Sequence, residues 1–333
     1  MSAEITAFLL LSVSGLFQAA FAIPIMHLRN WRWEQVWVAQ SVMANILLPL
    51  AWAAVVPAVF WDQASRVPLS HWLAAYAWGL LWGLGGVTYG LTLTRLGMAF
   101  ANSFVFGVTI VTGALIPLAL NVVASPPHPL RFGAGLVLCV VATGVIGLFR
   151  GRGSQTPMLV TPPSLRSYRR MVPIAIVSGL ASAGYGLAFS FSFGTIHRLI
   201  ASGVSPVSAS LVVVLPVYLG GASVAVPVGL FFAKRSRTMA LFVGRHAAWN
   251  WLLAVVMGLC AAATVVLYGL GGTIAGHPAP NVSFGIFMTF LVLGGNALGF
   301  ATGEMRGNRP AVNTGLWMSS CGLVFAAWLL NAG

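Results

Sequence analysis

Long apolar segments recur along the whole 333-residue chain, separated by short stretches rich in Arg, Pro, Asn or Gly. Each segment has about 20 residues, the length that an α-helix needs to cross a bilayer core of about 30 Å. Hydrophobic residues make up 59% of the chain and charged residues 6%, too few to cover a water-facing surface. We therefore predict an all-α integral membrane protein with ten transmembrane helices, numbered 1 to 10 in chain order. They span residues 5–28, 34–60, 71–93, 98–120, 131–148, 171–195, 206–232, 249–268, 282–302 and 311–330.

The basic residues fall almost entirely in alternate loops between these helices. Of the 17 Lys and Arg residues, all but Arg66, Arg131 and Arg198 lie on one side of the predicted membrane. Because the side rich in basic residues is normally the cytoplasmic one, both termini are predicted on the non-cytoplasmic side. The net charge of +13 is scattered through loops rather than gathered on one face, which argues against a nucleic-acid partner.

The chain divides into two halves of five predicted helices, joined by a polar stretch with five arginines. Five is an odd number, so the halves insert with opposite orientation, as in many secondary transporters. Ser14-Gly15-Leu16 in helix 1 recurs as Ser178-Gly179-Leu180 in helix 6. Likewise Tyr89-Gly90-Leu91 in helix 3 recurs as Tyr268-Gly269-Leu270 in helix 8, which indicates an internal duplication. The predicted divisions are a first repeat over 1–149, a basic cytoplasmic linker over 150–170 and a second repeat over 171–333.

Ionisable groups avoid the predicted membrane interior. The six histidines and all four carboxylates (Glu4, Glu34, Asp62 and Glu304) fall at or beyond helix ends. Hydrolysis or metal catalysis within a membrane needs such groups held at depth, and no phosphate-binding glycine loop precedes a Lys. We therefore predict no enzyme activity, no metal and no cofactor.

The helix interiors instead carry amides, hydroxyls and aromatic rings, which suit a neutral, sugar-like solute. The absence of Lys and Arg there disfavours strongly anionic substrates. Hydrogen bonding between helices is the competing explanation for each polar residue. Helices 1, 3, 4, 6, 8 and 9 are predicted to line the site. The predicted solute-binding residues are Gln18, Trp82, Tyr89, Asn102, Tyr185 and Asn296, drawn from a wider set that also includes Gln40, Ser41, Asn45, Ser103, Ser182, Tyr218, Asn313 and Trp317.

Glu34 opens predicted helix 2 beside Trp31 and Trp33. A carboxylate at a helix N-terminus is stabilised by the helix dipole, so capping is one interpretation. If the start of the helix is recessed into the bundle, Glu34 is instead the best available proton carrier.

Several motifs spread over nearly the whole chain resemble the L-rhamnose/proton symporter family of the drug/metabolite transporter superfamily. The resemblance implies two inverted five-helix halves and proton-coupled uptake of L-rhamnose or related deoxy sugars across a bacterial inner membrane. The chain departs from the family pattern in helices 8 and 9, where CAAATVVLY and HPAPNVSF hold neither the glutamine nor the acidic residue that the resemblance implies. The matching segments include WRWE at 31–34, WGLGGVTYGLTLTRLGMA at 82–99, SGLASAG at 178–184, GVSP at 203–206 and LPVYLGG at 215–221.

Taken together, the residues and the resemblance predict a secondary active transporter that works by alternating access. Its predicted partners are a small neutral sugar-like solute, protons and the lipid bilayer. Two alternatives remain open: an exporter of apolar or amphipathic metabolites, and a membrane sensor that keeps the scaffold without transporting a solute.

Overall fold

The computed structural model describes residues 3–96, 98–120, 128–150, 165–274, 280–301 and 310–331, and each regular element in these ranges is a helix. The first half contains α1 (Ala3–Ala20), α2 (Trp33–Gln40), α3 (Leu48–Val55), α4 (Ala58–Ala64), α5 (Leu69–Leu96), α6 (Met98–Ala119) and α7 (Pro129–Arg150). The second half contains α8 (Leu165–Ser182), α9 (Gly184–Ala201), α10 (Pro206–Arg235), α11 (Ala247–Ile274), α12 (Pro280–Ala301) and α13 (Pro310–Asn331). Short 3₁₀ turns cover Ile23–His27 and Met239–Val243, and a π-helical segment covers Ser41–Leu47.

Prolines mark several helix starts, as expected for a residue whose missing N–H costs nothing in the first turn. Pro206 is the first residue of α10, and the Ser205 side chain before it accepts a hydrogen bond from the Ser208 N–H (3.2 Å). Pro57 has the opposite effect. It restricts Val56 to an extended conformation, so the predicted continuous helix over 34–60 ends at Val55 and resumes as α4.

Within the described ranges, six helical segments are long and apolar enough to cross a membrane, and two shorter apolar helices lie at Phe104–Ala119 and Pro129–Val145. The outer surface is strongly apolar, with Leu130, Val137 and Phe231 all well exposed. Such a surface is stable against lipid and unstable in water. The chain is therefore an all-helical, multi-pass membrane protein. The six segments are Glu4–His27, Trp33–Val55, Arg169–Ala201, Pro206–Arg235, Ala247–Gly272 and Ser283–Ala301.

A close helix crossing joins α5 to α10. A Cβ added to Gly79 would lie 2.3 Å from the Val217 carbonyl oxygen, and one added to Gly83 would lie 2.6 Å from that of Gly221. Small residues at a membrane helix interface allow the two backbones to meet directly, which strengthens dispersion contacts where no hydrophobic driving force exists. This crossing places α5 and α10 side by side in the middle of the molecule.

Candidate functional site

A cavity of about 110 Å³ lies between the two halves of the chain, which is more than a single water molecule needs. Helices from both halves contribute, and the described residues that line it include no charged side chain. The lining consists of Gln18, Phe21, Trp37, Gln40, Ser41, Asn45, Trp82, Gly83, Gly86, Tyr89, Phe106, Ser182, Tyr185, Tyr218, Ala225, Ala261, Thr264, Phe287, Met288 and Leu291.

Aromatic rings form one wall of this cavity. The Trp82 ring centroid lies 5.0 Å from that of Tyr218 and 5.7 Å from that of Tyr185, with the planes tilted by 49° and 43°. Tyr89 continues the wall and packs on Phe106 at 5.3 Å. Trp82 and Tyr89 are seven residues apart on α5, so both face the cavity as the helical spacing predicts. Rings held in this way offer rigid apolar surface with polar atoms at their edges.

Amides and hydroxyls supply the polar part of the lining. The Asn45 Oδ1 atom is buried and has no hydrogen-bond partner in the described structure, and the Tyr185 hydroxyl makes no hydrogen bond of standard geometry although Tyr218 lies beside it. A buried polar group left unpaired costs about 1–3 kcal/mol. Two such groups in one cavity indicate a site that is completed by a hydrogen-bonding ligand or by water.

The structure brings four of the six predicted binding residues together, since Gln18, Trp82, Tyr89 and Tyr185 all line the cavity. That they bind a solute stays a prediction. Asn102 belongs to α6, but its side chain lies outside the described part of the structure. Asn296 is 1% exposed, is not among the lining residues, and donates a hydrogen bond to the Ser320 hydroxyl between α12 and α13. In this conformation Asn296 links two helices, and its predicted contact to a solute stays a prediction.

The predicted set of lining helices was incomplete. The segment from Trp37 to Asn45 and helix α10, which carries Tyr218, also reach the cavity. Gln40, Ser41, Asn45 and Tyr218 stand out in the sequence as polar groups inside apolar helices. The π-helical turn that carries Asn45, and the crossing that places α10 beside α5, depend on tertiary contacts that apolar periodicity does not show.

Glu34 is buried, with 2% of its surface exposed, although it lies only one residue inside α2. Its carboxylate accepts a hydrogen bond from the Thr238 hydroxyl (3.1 Å), just after the end of α10. The helix cap is supplied by Gln35 instead, whose Oε1 accepts from the Arg32 N–H (3.0 Å). Glu34 is therefore recessed into the bundle, and its hydrogen bond with Thr238 joins the two halves of the chain. It does not line the cavity in this conformation.

A network that we call the Asn250 clasp is formed by Arg29, Trp31, Leu241, Phe242 and Asn250, of which Trp31 lies three residues before Glu34 in the chain. The Asn250 side chain accepts from the Arg29 N–H (3.0 Å) and donates to the Arg29 carbonyl (2.8 Å). The Trp31 indole donates to the Leu241 carbonyl (2.9 Å), and its ring meets that of Phe242 edge-on. The clasp therefore ties the segment between α1 and α2 to the segment between α10 and α11 and to the first turn of α11.

Helices that cross a membrane around an uncharged cavity, with groups from both halves in its wall, define a membrane transporter by architecture. The sequence of the chain matches the model of the L-rhamnose-proton symport protein family over residues 1–333. The chain belongs to this family, as the resemblance predicted. The family is described as one of symport proteins, so the prediction that the chain is not an enzyme is also confirmed.

Curated relatives agree with this assignment, and a solved structure shares the fold. The L-rhamnose-proton symporter of Escherichia coli O1:K1 / APEC is 26% identical over 331 residues, which cover 95% of this chain and 94% of the relative. The L-rhamnose-proton symporter of Shigella dysenteriae serotype 1 (strain Sd197) matches with the same identity and coverage. A solved crystal structure has the same overall fold, with a TM-score of 0.56 at 14% identity, covering 98% of this chain and 96% of that one.

Proposed function

We propose that this protein is a secondary active transporter that couples the uptake of L-rhamnose, or of a related sugar, to protons by alternating access in a bacterial inner membrane. The observation that carries the proposal is the uncharged cavity of aromatic rings, amides and hydroxyls in a chain of the L-rhamnose-proton symport family. Amides and hydroxyls both donate and accept hydrogen bonds, as sugar hydroxyls require. Aromatic rings pack against the apolar C–H face of a sugar ring.

The two alternative functions account less well for this site. An exporter of apolar metabolites has no use for the cavity amides Gln18, Gln40 and Asn45, since each amide is costly to desolvate without a partner. A sensor that binds nothing in its centre would not need unpaired polar groups there. The relatives are named as symporters, and neither alternative is favoured.

We further propose ten membrane-spanning helices in two inverted halves, over 1–149 and 171–333, joined by a linker over 150–170. Residues 151–164 of that linker lie outside the described part of the chain. The Ser14 hydroxyl donates to the Thr264 carbonyl (2.8 Å), and the Ser178 hydroxyl donates to the Gly85 carbonyl (3.0 Å). Ser14 and Ser178 occupy equivalent positions in the two copies of the Ser-Gly-Leu motif. Gly85 and Thr264 each precede the repeated tyrosine by four residues, so the two bonds support the duplication.

Helix packing supports the same proposal. In the first half, α1 packs against α11 and α12, whereas in the second half α8 packs against α5 and α6. A Cβ on Gly15 would meet the backbone of α12 and a Cβ on Gly179 that of α6, each within 3.0 Å. Exchanging the halves therefore reproduces the contacts, as expected for two structural repeats around a shared site.

The proposed orientation, with both termini outside the cytoplasm, predicts opposite labelling of two exposed serines in right-side-out spheroplasts. We expect a Ser65→Cys variant to react with a membrane-impermeant maleimide, because Ser65 follows α4 on the non-cytoplasmic side. A Ser236→Cys variant, after the basic end of α10, should react only once the membrane is permeabilised. Both variants need a background in which Cys139, Cys260 and Cys321 are replaced. The reverse pattern would contradict the orientation.

Uptake into proteoliposomes tests the function itself. With an inward proton gradient of one pH unit, one-for-one coupling predicts accumulation of labelled L-rhamnose to about tenfold above the outside concentration. Without the gradient, uptake should only equilibrate. L-Rhamnose 1-phosphate is the matched control, because the described lining offers no cation to bind a phosphate and it should not compete. Absence of any L-rhamnose uptake by folded protein would reject the proposal.

A further inference from the structure

The second apolar span contains an irregular turn at mid-helix. Residues Ser41–Leu47 form a π-helical segment between α2 and α3. Such segments are rare and are frequently found at functional sites, because the wider turn changes the direction in which the following side chains point. Both Ser41 and Asn45, at its start and middle, line the cavity. The segment packs against α10 and α11, so its shape is supported on two sides.

The side chain of Asn45 carries a hydrogen-bond acceptor that has no donor among the described residues. The residue is 5% exposed, and its Oδ1 atom has no hydrogen-bond partner in the described structure. Because Asn45 lines a cavity that has room for water, the expected partner of this atom is a bound ligand, or water when no ligand is bound. Neither Gln40 nor Ser41 satisfies it, because the Ser41 hydroxyl is turned to the Gln40 Oε1 atom at 3.4 Å.

The surroundings of Asn45 combine this acceptor with an aromatic surface. A Cβ added to Gly221 of α10 would lie 2.8 Å from Cε3 of the Trp82 ring and 3.7 Å from Nδ2 of Asn45. The Trp82 ring and the Asn45 amide therefore both lie against Gly221 of α10, with the amide nitrogen toward that helix. A hydroxyl donor beside an apolar C–H face is the chemistry that this pairing recognises.

We propose that Asn45 is a specificity-determining residue of the solute site, and that its Oδ1 atom accepts a hydrogen bond from one hydroxyl of the neutral sugar whose ring rests on Trp82. The Tyr185 hydroxyl, which lies in the same cavity beside Tyr218, is the second polar contact. This assignment rests on the proposed function, because it takes the cavity as the sugar site. It adds to the proposed function the residue and the atom with which the site distinguishes a sugar that has the correctly placed hydroxyl from one that lacks it.

Equilibrium binding of labelled L-rhamnose to purified protein tests the assignment. We expect both Asn45→Leu and Asn45→Ser to weaken binding by about 10- to 100-fold, since each leaves a substrate hydroxyl without its acceptor. Thr289→Val is the matched control, because the Thr289 Oγ1 atom is also buried and unpaired but Thr289 is not among the residues that line the cavity. The affinity of this variant for L-rhamnose should stay within about twofold of the wild-type value. If Asn45→Leu does not fold, the affinity of Asn45→Ser for L-rhamnose tests the assignment by itself.

Single-deoxy analogues of L-rhamnose identify the hydroxyl. One analogue should bind the wild-type protein about 10- to 100-fold more weakly than L-rhamnose, yet bind Asn45→Ser as well as L-rhamnose does. Equal losses of affinity in both proteins for every analogue would overturn the assignment. Unchanged affinity for L-rhamnose in Asn45→Ser would also overturn it, because a loss confined to Asn45→Leu marks a steric effect. Failure of the wild-type protein to bind L-rhamnose would instead reject the proposed function.

Discussion

Replacing Glu34 by Gln is expected to abolish proton-driven accumulation of L-rhamnose while leaving sugar exchange intact. In proteoliposomes with a gradient of one pH unit, the accumulation ratio should fall from about 10 to about 1. Glutamine keeps the size of the side chain and can still accept the hydrogen bond from Thr238, but it cannot bind and release a proton. Counterflow of labelled sugar, measured without a gradient, should remain close to the wild-type rate.

The physical basis of this prediction is the burial of Glu34 against the end of α10. The Glu34 side chain is 2% exposed and accepts a hydrogen bond from Thr238, so water reaches its carboxylate only if the structure around it opens. The Asn250 clasp joins the segments that carry Glu34 and Thr238, so its contacts must separate if those segments move apart. Movement of the clasp would then expose Glu34 to water.

Asp62→Asn is the matched control for Glu34→Gln. Asp62 is exposed on α4, at the opposite side of the predicted membrane, and its replacement should leave accumulation unchanged. Full accumulation by Glu34→Gln would exclude Glu34 as the proton carrier. Loss of both accumulation and exchange would show that Glu34 has a structural role instead.

The second large effect is expected from Gly79→Ala. The new methyl group would lie 2.3 Å from the Val217 carbonyl oxygen and 2.7 Å from the Val217 Cα, and neither atom can move without shifting the backbone of α10. Overpacking of this kind costs about 1–3 kcal/mol and occasionally more. We therefore expect an apparent Tm in detergent that is lower by several degrees, together with strongly reduced uptake, because α5 and α10 carry Trp82 and Tyr218.

Gly194→Ala provides the comparison. A Cβ added to Gly194 in α9 would meet nothing within 4 Å, so only helix propensity changes, which favours Ala by about 0.5–1 kcal/mol. Its apparent Tm should be equal to that of the wild-type protein or slightly higher. Equal thermal stability for Gly79→Ala and Gly194→Ala would contradict the close crossing of α5 and α10.

Much of the helical architecture could be predicted from the sequence, because the length of an apolar run reflects the thickness of the membrane directly. The described helices begin and end within a few residues of most predicted ones, as α6 and α10 illustrate. Two predicted helices are instead interrupted, the first of them by a proline. Pro57 separates α3 from α4, and the described helix from 165 onward is divided at Ala183 into α8 and α9.

The candidate site was only partly predictable. Trp82 and Tyr89 could be placed together because seven residues make two helical turns. Asn296 and Asn45 could not be told apart in the same way, since both are lone amides in apolar helices. Tertiary contacts separate them, because Asn296 meets the Ser320 hydroxyl whereas Asn45 is turned by the π-helical segment into the cavity.

The sequence by itself determined that the chain lies in a membrane and that the interiors of its helices are neutral, and it left Glu34 as either a helix cap or a proton carrier. These properties follow from composition and from the distance of each residue to a helix end. Only the tertiary structure decided that Gln35 rather than Glu34 caps α2, that α10 and the π-helical segment line the cavity, and that Asn45 is left unpaired there. Partners in a hydrogen bond between distant helices depend on how those helices cross, and helix crossing is set by contacts such as Gly79 with Val217 that no local pattern specifies.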